Sequence, residues 1–207
     1  MRNLLILLLI YCFSFNVQAE TLDFKNNGYL LVGAGMADWN LEDNSTDVAR
    51  VLGITPSSDD ESAPALKVGL GIELNPMSPS VIFALETYFQ YLGKGKMKFI
   101  NGGTYATSGE IDAYLYHLDL VGKVPLDQIY EDLSFLARVG YARSQASVDV
   151  TFGGTTTDGY SNSNEVTYGA GFEIKNFRLE YQQLNDMSSD PRIYTLGYVF
   201  RFNGIKE

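Results

Sequence analysis

Large apolar residues alternate with polar or small ones, one for one, through eight separate stretches of this chain. After the leading segment, no apolar run approaches the length of a spanning helix. The clearest case is "YTLGYVFRF", where Tyr194, Leu196, Tyr198, Phe200 and Phe202 share one face while Thr195, Gly197, Val199 and Arg201 share the other. A period of two belongs to extended backbone, so the pattern predicts strands and excludes an architecture of packed helices.

The eight segments run Gly28–Asp38, Ala65–Asn75, Val81–Leu92, Glu110–Val124, Leu133–Ser144, Glu165–Lys175, Phe177–Leu184 and Tyr194–Phe202. Gly, Asn, Asp, Ser and Pro cluster between them, as turns require. In six segments the polar face also carries the glycines or other small residues. In the sixth segment, for example, Val166, Tyr168, Ala170, Phe172 and Ile174 oppose Thr167, Gly169, Gly171, Glu173 and Lys175.

That coincidence decides which face meets which solvent. Glycine on the wet outer face of a soluble sandwich would weaken the strand and pack nothing. On the inside of a narrow barrel, small residues beside long ones are what the filling needs, with the apolar face turned to lipid. Gly122 departs from the rule by falling on the apolar face, and predicts that the fourth strand ends or bulges near Leu120. The fold expected is all-β, an eight-stranded antiparallel up-and-down transmembrane β-barrel.

Residues 1–19, "MRNLLILLLIYCFSFNVQA", combine one positive charge, a short apolar run and the small-residue ending Val17-Gln18-Ala19, which is the pattern of a secretory signal peptide. The domain expected is therefore 20–207. Cys12, the single cysteine, lies inside the apolar run and leaves with it, so the remainder has neither disulfides nor thiolate metal sites. Without Arg2, 14 Lys and Arg stand against 25 Asp and Glu, a net charge of −11 that argues against nucleic-acid binding.

Connections alternate between long and short, about 26, 17 and 20 residues on one side against short turns such as "PMSPS" on the other. Spanning barrels have long extracellular loops and short periplasmic turns, so an even strand count puts both mature termini in the periplasm of a double-membrane envelope.

The pattern as a whole resembles the OmpA/OmpX and opacity-protein group of outer-membrane barrels. The likeness runs from Glu20 to Phe202 and rests on "GYLLVGAG", "FLARVGYARS" and "LGYVFRF". It implies a porin-like β-barrel in the outer membrane, with outer-membrane lipid and lipopolysaccharide as neighbours and an unidentified ligand at the cell surface. It also implies that Tyr198, Phe200 and Phe202 form the signal read by the barrel-assembly machinery, although Asn203–Glu207 extend past the terminal Phe common in the family. No peptidoglycan-binding domain of the kind that larger members append is expected after Phe202.

An eight-stranded barrel is just wide enough to be filled by side chains. The inward face offers Glu73, Glu86, His117, Arg138, Glu173, Arg178 and Glu180 for a polar network in the lumen, together with Lys67, Asp119, Lys123, Lys175 and Arg201. Charges removed from water need partners, so a paired network around Glu86 and Arg138 is expected rather than a wide pore.

His117 is the only histidine, and "YLYHLDL" places Asp119 on its face but no serine, so no catalytic residue is assigned. No cofactor and no metal is expected either. "DDE" at Asp59–Glu61 lacks the ligand spacing of a calcium loop and reads as a solvated acidic loop. "GKGKMK" at Gly93–Lys98 leaves two readings open, contact with lipopolysaccharide phosphates or an ordinary loop. Trp39, Tyr91, Tyr114, Tyr141, Tyr181 and Tyr194 fit aromatic girdles at the membrane boundaries.

Three functions follow in order. The first is a structural or surface-interaction barrel displaying three long mobile loops. The second is a narrow porin-like channel, and the third a lipid A-modifying enzyme built on His117.

Overall fold

The computed structural model describes residues 27–39, 55–60, 62–74, 81–101, 105–152, 154–185 and 190–202. The signal-peptide segment and Asn203–Glu207 lie outside the described residues. Nine strands follow in chain order: β1 (Gly28–Asp38), β2 (Thr55–Asp60), β3 (Ser62–Glu73), β4 (Ile82–Asn101), β5 (Tyr105–Pro125), β6 (Leu133–Phe152), β7 (Thr155–Ile174), β8 (Phe177–Asn185) and β9 (Arg192–Arg201).

Each strand pairs antiparallel with its neighbours. The order β4-β3-β1-β9-β8-β7-β6-β5 returns through a β4–β5 ladder to its start. The wall is thus closed by eight strands. It includes β1 against β9 from Tyr29↔Arg201 to Asp38↔Arg192, and full closure removes the aggregation-prone edges an open sheet would carry. The ninth element, β2, sits on the same side of β4 as β3 and prolongs it past Glu61, with a register shift between Ser58 and Asp60. Asp59 and Asp60 of the "DDE" sequence therefore belong to a strand, while Glu61 lies outside the described residues.

Side chains divide by parity as the alternation dictates. Leu66, Val68 and Leu70 of β3, Tyr116, Leu118 and Leu120 of β5, and Leu196 and Phe200 of β9 all stand exposed on the outer surface. Arg138 is 4% exposed inside while Phe172 is 50% exposed outside, so the charged face points inward and the apolar face outward. A continuous apolar band around a closed barrel has hydrocarbon as its matching solvent.

Two expectations about the wall are corrected. β5 runs without a bulge past Gly122 to Pro125, because the Phe83 ring on the neighbouring strand occupies the space beside the missing side chain, 3.7 Å from where a Cβ would stand. Lys175 does not enter the lumen. It is exposed in the two-residue β7–β8 turn at φ 55°, a left-handed conformation that turns the chain back at once.

The expected long loops are also redrawn. β4 and β5 remain paired out to Asn101↔Tyr105, and β6 and β7 out to Phe152↔Thr155. "TFGGTTTDGYSNSN" is mostly hairpin, with Gly154 at φ 84° in its turn. From Tyr91 to Asn101 and from Tyr141 to Phe152 these extensions run about 33–36 Å along the strand at ~3.3 Å per residue. They form one sheet, β2-β4-β5-β6-β7, on one side of the barrel mouth.

Candidate functional site

The inner face carries a polar network at mid-height and an apolar layer toward the hairpin end. Glu86 on β4 is the hub. Its Oε1 accepts from Tyr29 Oη (2.5 Å) and Arg178 Nη1 (2.5 Å), and its Oε2 accepts from Arg138 Nη2. Arg138 also reaches Glu180 Oε1 (2.7 Å) and lies 2.9 Å from Asp119 Oδ2 through its Nε. The second oxygen of Glu180 accepts from Lys67 (2.8 Å).

Lower down, Arg178 Nε donates to Glu173 (2.7 Å), Lys123 to Glu73 (2.7 Å), and Arg201 pairs with the free oxygen of Glu173. Five cations, Lys67, Lys123, Arg138, Arg178 and Arg201, thereby meet five carboxylates, Glu73, Glu86, Asp119, Glu173 and Glu180. Isolated, each charge would be costly to bury. Arranged so, each has an oppositely charged group within 3 Å in the low-dielectric lumen.

His117 stands at the upper edge of this layer. Its ring stacks on Tyr88 with centroids 4.2 Å apart, and Nδ1 lies 3.3 Å from Gln182 Nε2. Gln182 also donates to Tyr88 Oη (2.7 Å), which donates on to Asp119 (2.8 Å). Of the residues assigned from sequence, the structure gathers Glu86, Arg138, Arg178, Glu173 and Glu180 into one connected cluster. Glu73 joins through Lys123, and His117 adjoins through Tyr88 and Gln182. The His117 ring is enclosed by the wall and only 3% exposed.

Sequence reasoning missed Tyr29 and gave Tyr88 no role. Both signals were present in the parity: Tyr29 falls in step with Gly33, Gly35 and Ala37, and Tyr88 with Glu86. The inward glycines make room for these contacts. A Cβ on Gly71 would stand 2.2 Å from the Tyr29 ring, and one on Gly140 would stand 1.9 Å from Asp119 Oδ1.

Toward the hairpin end, Trp39, Leu92, Leu115, Leu184 and Ile193 pack with alanines from β1, β3, β5 and β6 into a buried apolar layer. Trp39 is therefore not part of a lipid-facing girdle. It is wholly buried and donates Nε1–H to the Gly93 carbonyl (3.1 Å). A Cβ on Gly95 would come within 2.6 Å of its indole, so the second glycine of "GKGK" leaves the room the ring occupies.

Lys94 and Lys96, the residues between and after those glycines, project outward, with Lys94 bonded to Glu110 (3.0 Å). Tyr91, Tyr114, Tyr141, Tyr181 and Tyr194 do lie on the outer surface, and Tyr91–Tyr114 and Tyr181–Tyr194 form ring pairs. At the opposite end an open recess of about 440 Å³ is lined by Asp127, Asp132, Lys175, Asn176 and Arg201, and the Glu173–Arg201 pair borders it.

The last strand presents Tyr198, Phe200 and Phe202 outward. Phe177 meets Tyr198 edge-on at 5.2 Å, Asn176 donates to Tyr198 Oη (3.0 Å), and the Phe202 amide donates to the Gly28 carbonyl (2.9 Å).

Solved structures of similar form include the attachment invasion locus protein Ail of Yersinia pestis, 14% identical, covering 84% of this chain and 99% of that one with a TM-score of 0.41. The N-terminal β-barrel domain of Pseudomonas aeruginosa OprF is 12% identical over 84% and 97% of the two chains, with a TM-score of 0.45. Neisserial surface protein A is 14% identical over 84% and 97%, with a TM-score of 0.39. No curated protein sequence matches the chain significantly. The family model described as outer membrane protein beta-barrel domain matches residues 5–202, and the chain belongs to that family.

Proposed function

We propose that this outer-membrane barrel serves as a rigid, non-conducting, non-enzymatic pedestal that presents a β-sheet to partners outside the cell. The observation that carries the reading is the continuation of β4 to β7 as paired strands beyond the tyrosines of the outer girdle. Disordered loops would pay an ordering cost on binding, whereas a preformed sheet does not. Above Val166, β7 pairs only with β6 among the described residues, which leaves backbone groups available to an extended surface ligand.

In this orientation residues 1–19 are a cleaved signal peptide, 20–207 form the barrel domain, and both mature termini are periplasmic. Lys94 and Lys96 face the phosphate level of lipopolysaccharide. Tyr198, Phe200 and Phe202 supply the signal to the assembly machinery, and the ionic cluster with the Trp39 layer holds the lumen shut.

Two measurements test the proposal. Purified barrel in planar bilayers shows no stepwise conductance; steps would favour the narrow-channel reading instead. A variant lacking residues 97–107 and 148–160 retains the folded barrel but loses surface attachment of cells that display it. Attachment equal to that of the parent would defeat the pedestal.

A further inference from the structure

The recess of about 440 Å³ opposite the projecting sheet sits between two turns, residues 126–132 joining β5 to β6 and residues 175–176 joining β7 to β8. The Lys175 amide donates to the Asp132 carbonyl at 3.2 Å and ties the turns together, while the Leu126 amide closes the longer one on the Leu133 carbonyl at 2.7 Å. Asp132 (φ 60°) and Lys175 (φ 55°) both hold left-handed backbone. Glycine would adopt it without strain, yet each position instead sets a charged side chain in the recess wall.

The charges on that wall fall into two sets. Glu173 and Arg201 neutralise each other, and Arg201 Nη1 is further engaged by the Lys175 carbonyl (3.0 Å) and Asn176 Oδ1 (2.9 Å). The Asp127 and Asp132 carboxylates and the Lys175 ammonium enter no ion pair among the described residues, and all three residues are exposed. On the same turn as the aspartates, Ile129 (75% exposed) and Tyr130 (57%) offer large apolar surface to solvent.

We propose that this recess is a binding site for a short peptide carrying both a free ammonium and a carboxylate. The unengaged charges select that class. A lone anion such as phosphate would confront two aspartates, and a lone metal ion would confront Lys175 and Arg201. A peptide bearing both groups sets its ammonium against Asp127 and Asp132 and its carboxylate against Lys175 and Arg201, whose side chain is 33% exposed. An apolar side chain of the same peptide covers Ile129 and Tyr130. The volume falls within the ~300–1,000 Å³ range of small-ligand sites, and walls fixed by backbone bonds lower the ordering cost of binding. In the orientation proposed above the recess opens to the periplasm, but binding itself depends neither on that orientation nor on the pedestal.

The test uses the full-length barrel in lipid nanodiscs, titrated with the dipeptide Ala-Leu and read by NMR at the Asp132 and Lys175 amides. Saturable shifts are expected. Blocking either end, as acetyl-Ala-Leu or as Ala-Leu amide, is expected to weaken binding by roughly tenfold or more, the loss of one charge-assisted contact. Asp127→Asn combined with Asp132→Asn keeps the side-chain shape and a left-handed backbone that Asn tolerates, and is expected to weaken Ala-Leu equally while heat-modifiable gel mobility stays unchanged. Lys175→Gln provides an independent check from the opposite wall. No saturable shift, undiminished binding of either blocked peptide or by either variant, or phosphate alone binding as tightly as the dipeptide overturns the inference.

Discussion

Arg178 Nη1 on β8 donates to Glu86 Oε1 on β4 at 2.5 Å, joining opposite stretches of the wall across the lumen. Tyr29 and Arg138 converge on the same carboxylate, so Glu86 offsets two guanidinium charges at once. Replacing it with Ala leaves those charges short of a counterion. Glu86→Ala is expected to lose about 3–5 kcal/mol, the usual cost of breaking a buried pair. Urea unfolding in lipid vesicles reads the loss, and a change below ~1 kcal/mol would mean that water already screens the cluster.

Trp39 is the single tryptophan of the chain, which makes its environment directly measurable. Because the indole is buried inside the wall, its emission is expected to be blue-shifted and insensitive both to aqueous iodide and to spin-labelled lipid. Quenching by lipid would return it to the outer girdle. Trp39→Ala should destabilise the barrel by roughly 3–5 kcal/mol, as large aromatic truncations in cores do.

Gly140 faces Asp119 so closely that no side chain fits without displacing the carboxylate from Arg138. Gly140→Ala is expected to cost about 1–3 kcal/mol, as overpacking does. Gly122→Ala, on the outer face beside Phe83 with ordinary contact room, is expected to be near neutral. The comparison by heat-modifiable gel mobility separates an inward from an outward glycine.

On the projecting sheet, Lys94 holds the Glu110 carboxyl below its ordinary range, first through their hydrogen bond and then through charge. The same bond raises the Lys94 ammonium. A depressed acid contributes stability above its unfolded pKa and loses it as pH falls through the folded value; a raised base loses its contribution as pH rises through its own. The pair is thus whole at neutral pH and weakens in acid and strong alkali. Being exposed, its effect is small and salt-sensitive. Carboxyl NMR titration should show Glu110 shifting upward in Lys94→Met, with barrel unfolding unchanged.

The wall was legible because hydrocarbon outside and a crowded lumen inside impose opposite demands on alternate residues. Leu66 and Lys67 already differ in the sequence as they differ in the fold. Above the membrane that contrast vanishes. Both faces of "TTTDGYSNSN" are polar, so the period-two signal fades although the backbone stays paired, and the stretch reads as a loop.

Trp39 was misplaced for another reason. Its parity with Ala37 points inward, but a tryptophan at a strand end also fits an interface. Which carboxylate meets which guanidinium was not legible, because the stagger between strands sets the partners across a barrel. Glu86 and Arg178 are neighbours in neither sequence nor register.

The seam between β1 and β9 has one more consequence. Since the first and last strands are ordinary partners, with Gly33 opposite Gly197 as regularly as any interior pair, the ring has no structural beginning. A chain opened at the Lys175–Asn176 turn and rejoined through a short linker from Phe202 to Gly28 should trace the same cylinder. Such a permutant would place its new ends at the same mouth as the old ones, since Arg201 donates to the Lys175 carbonyl there.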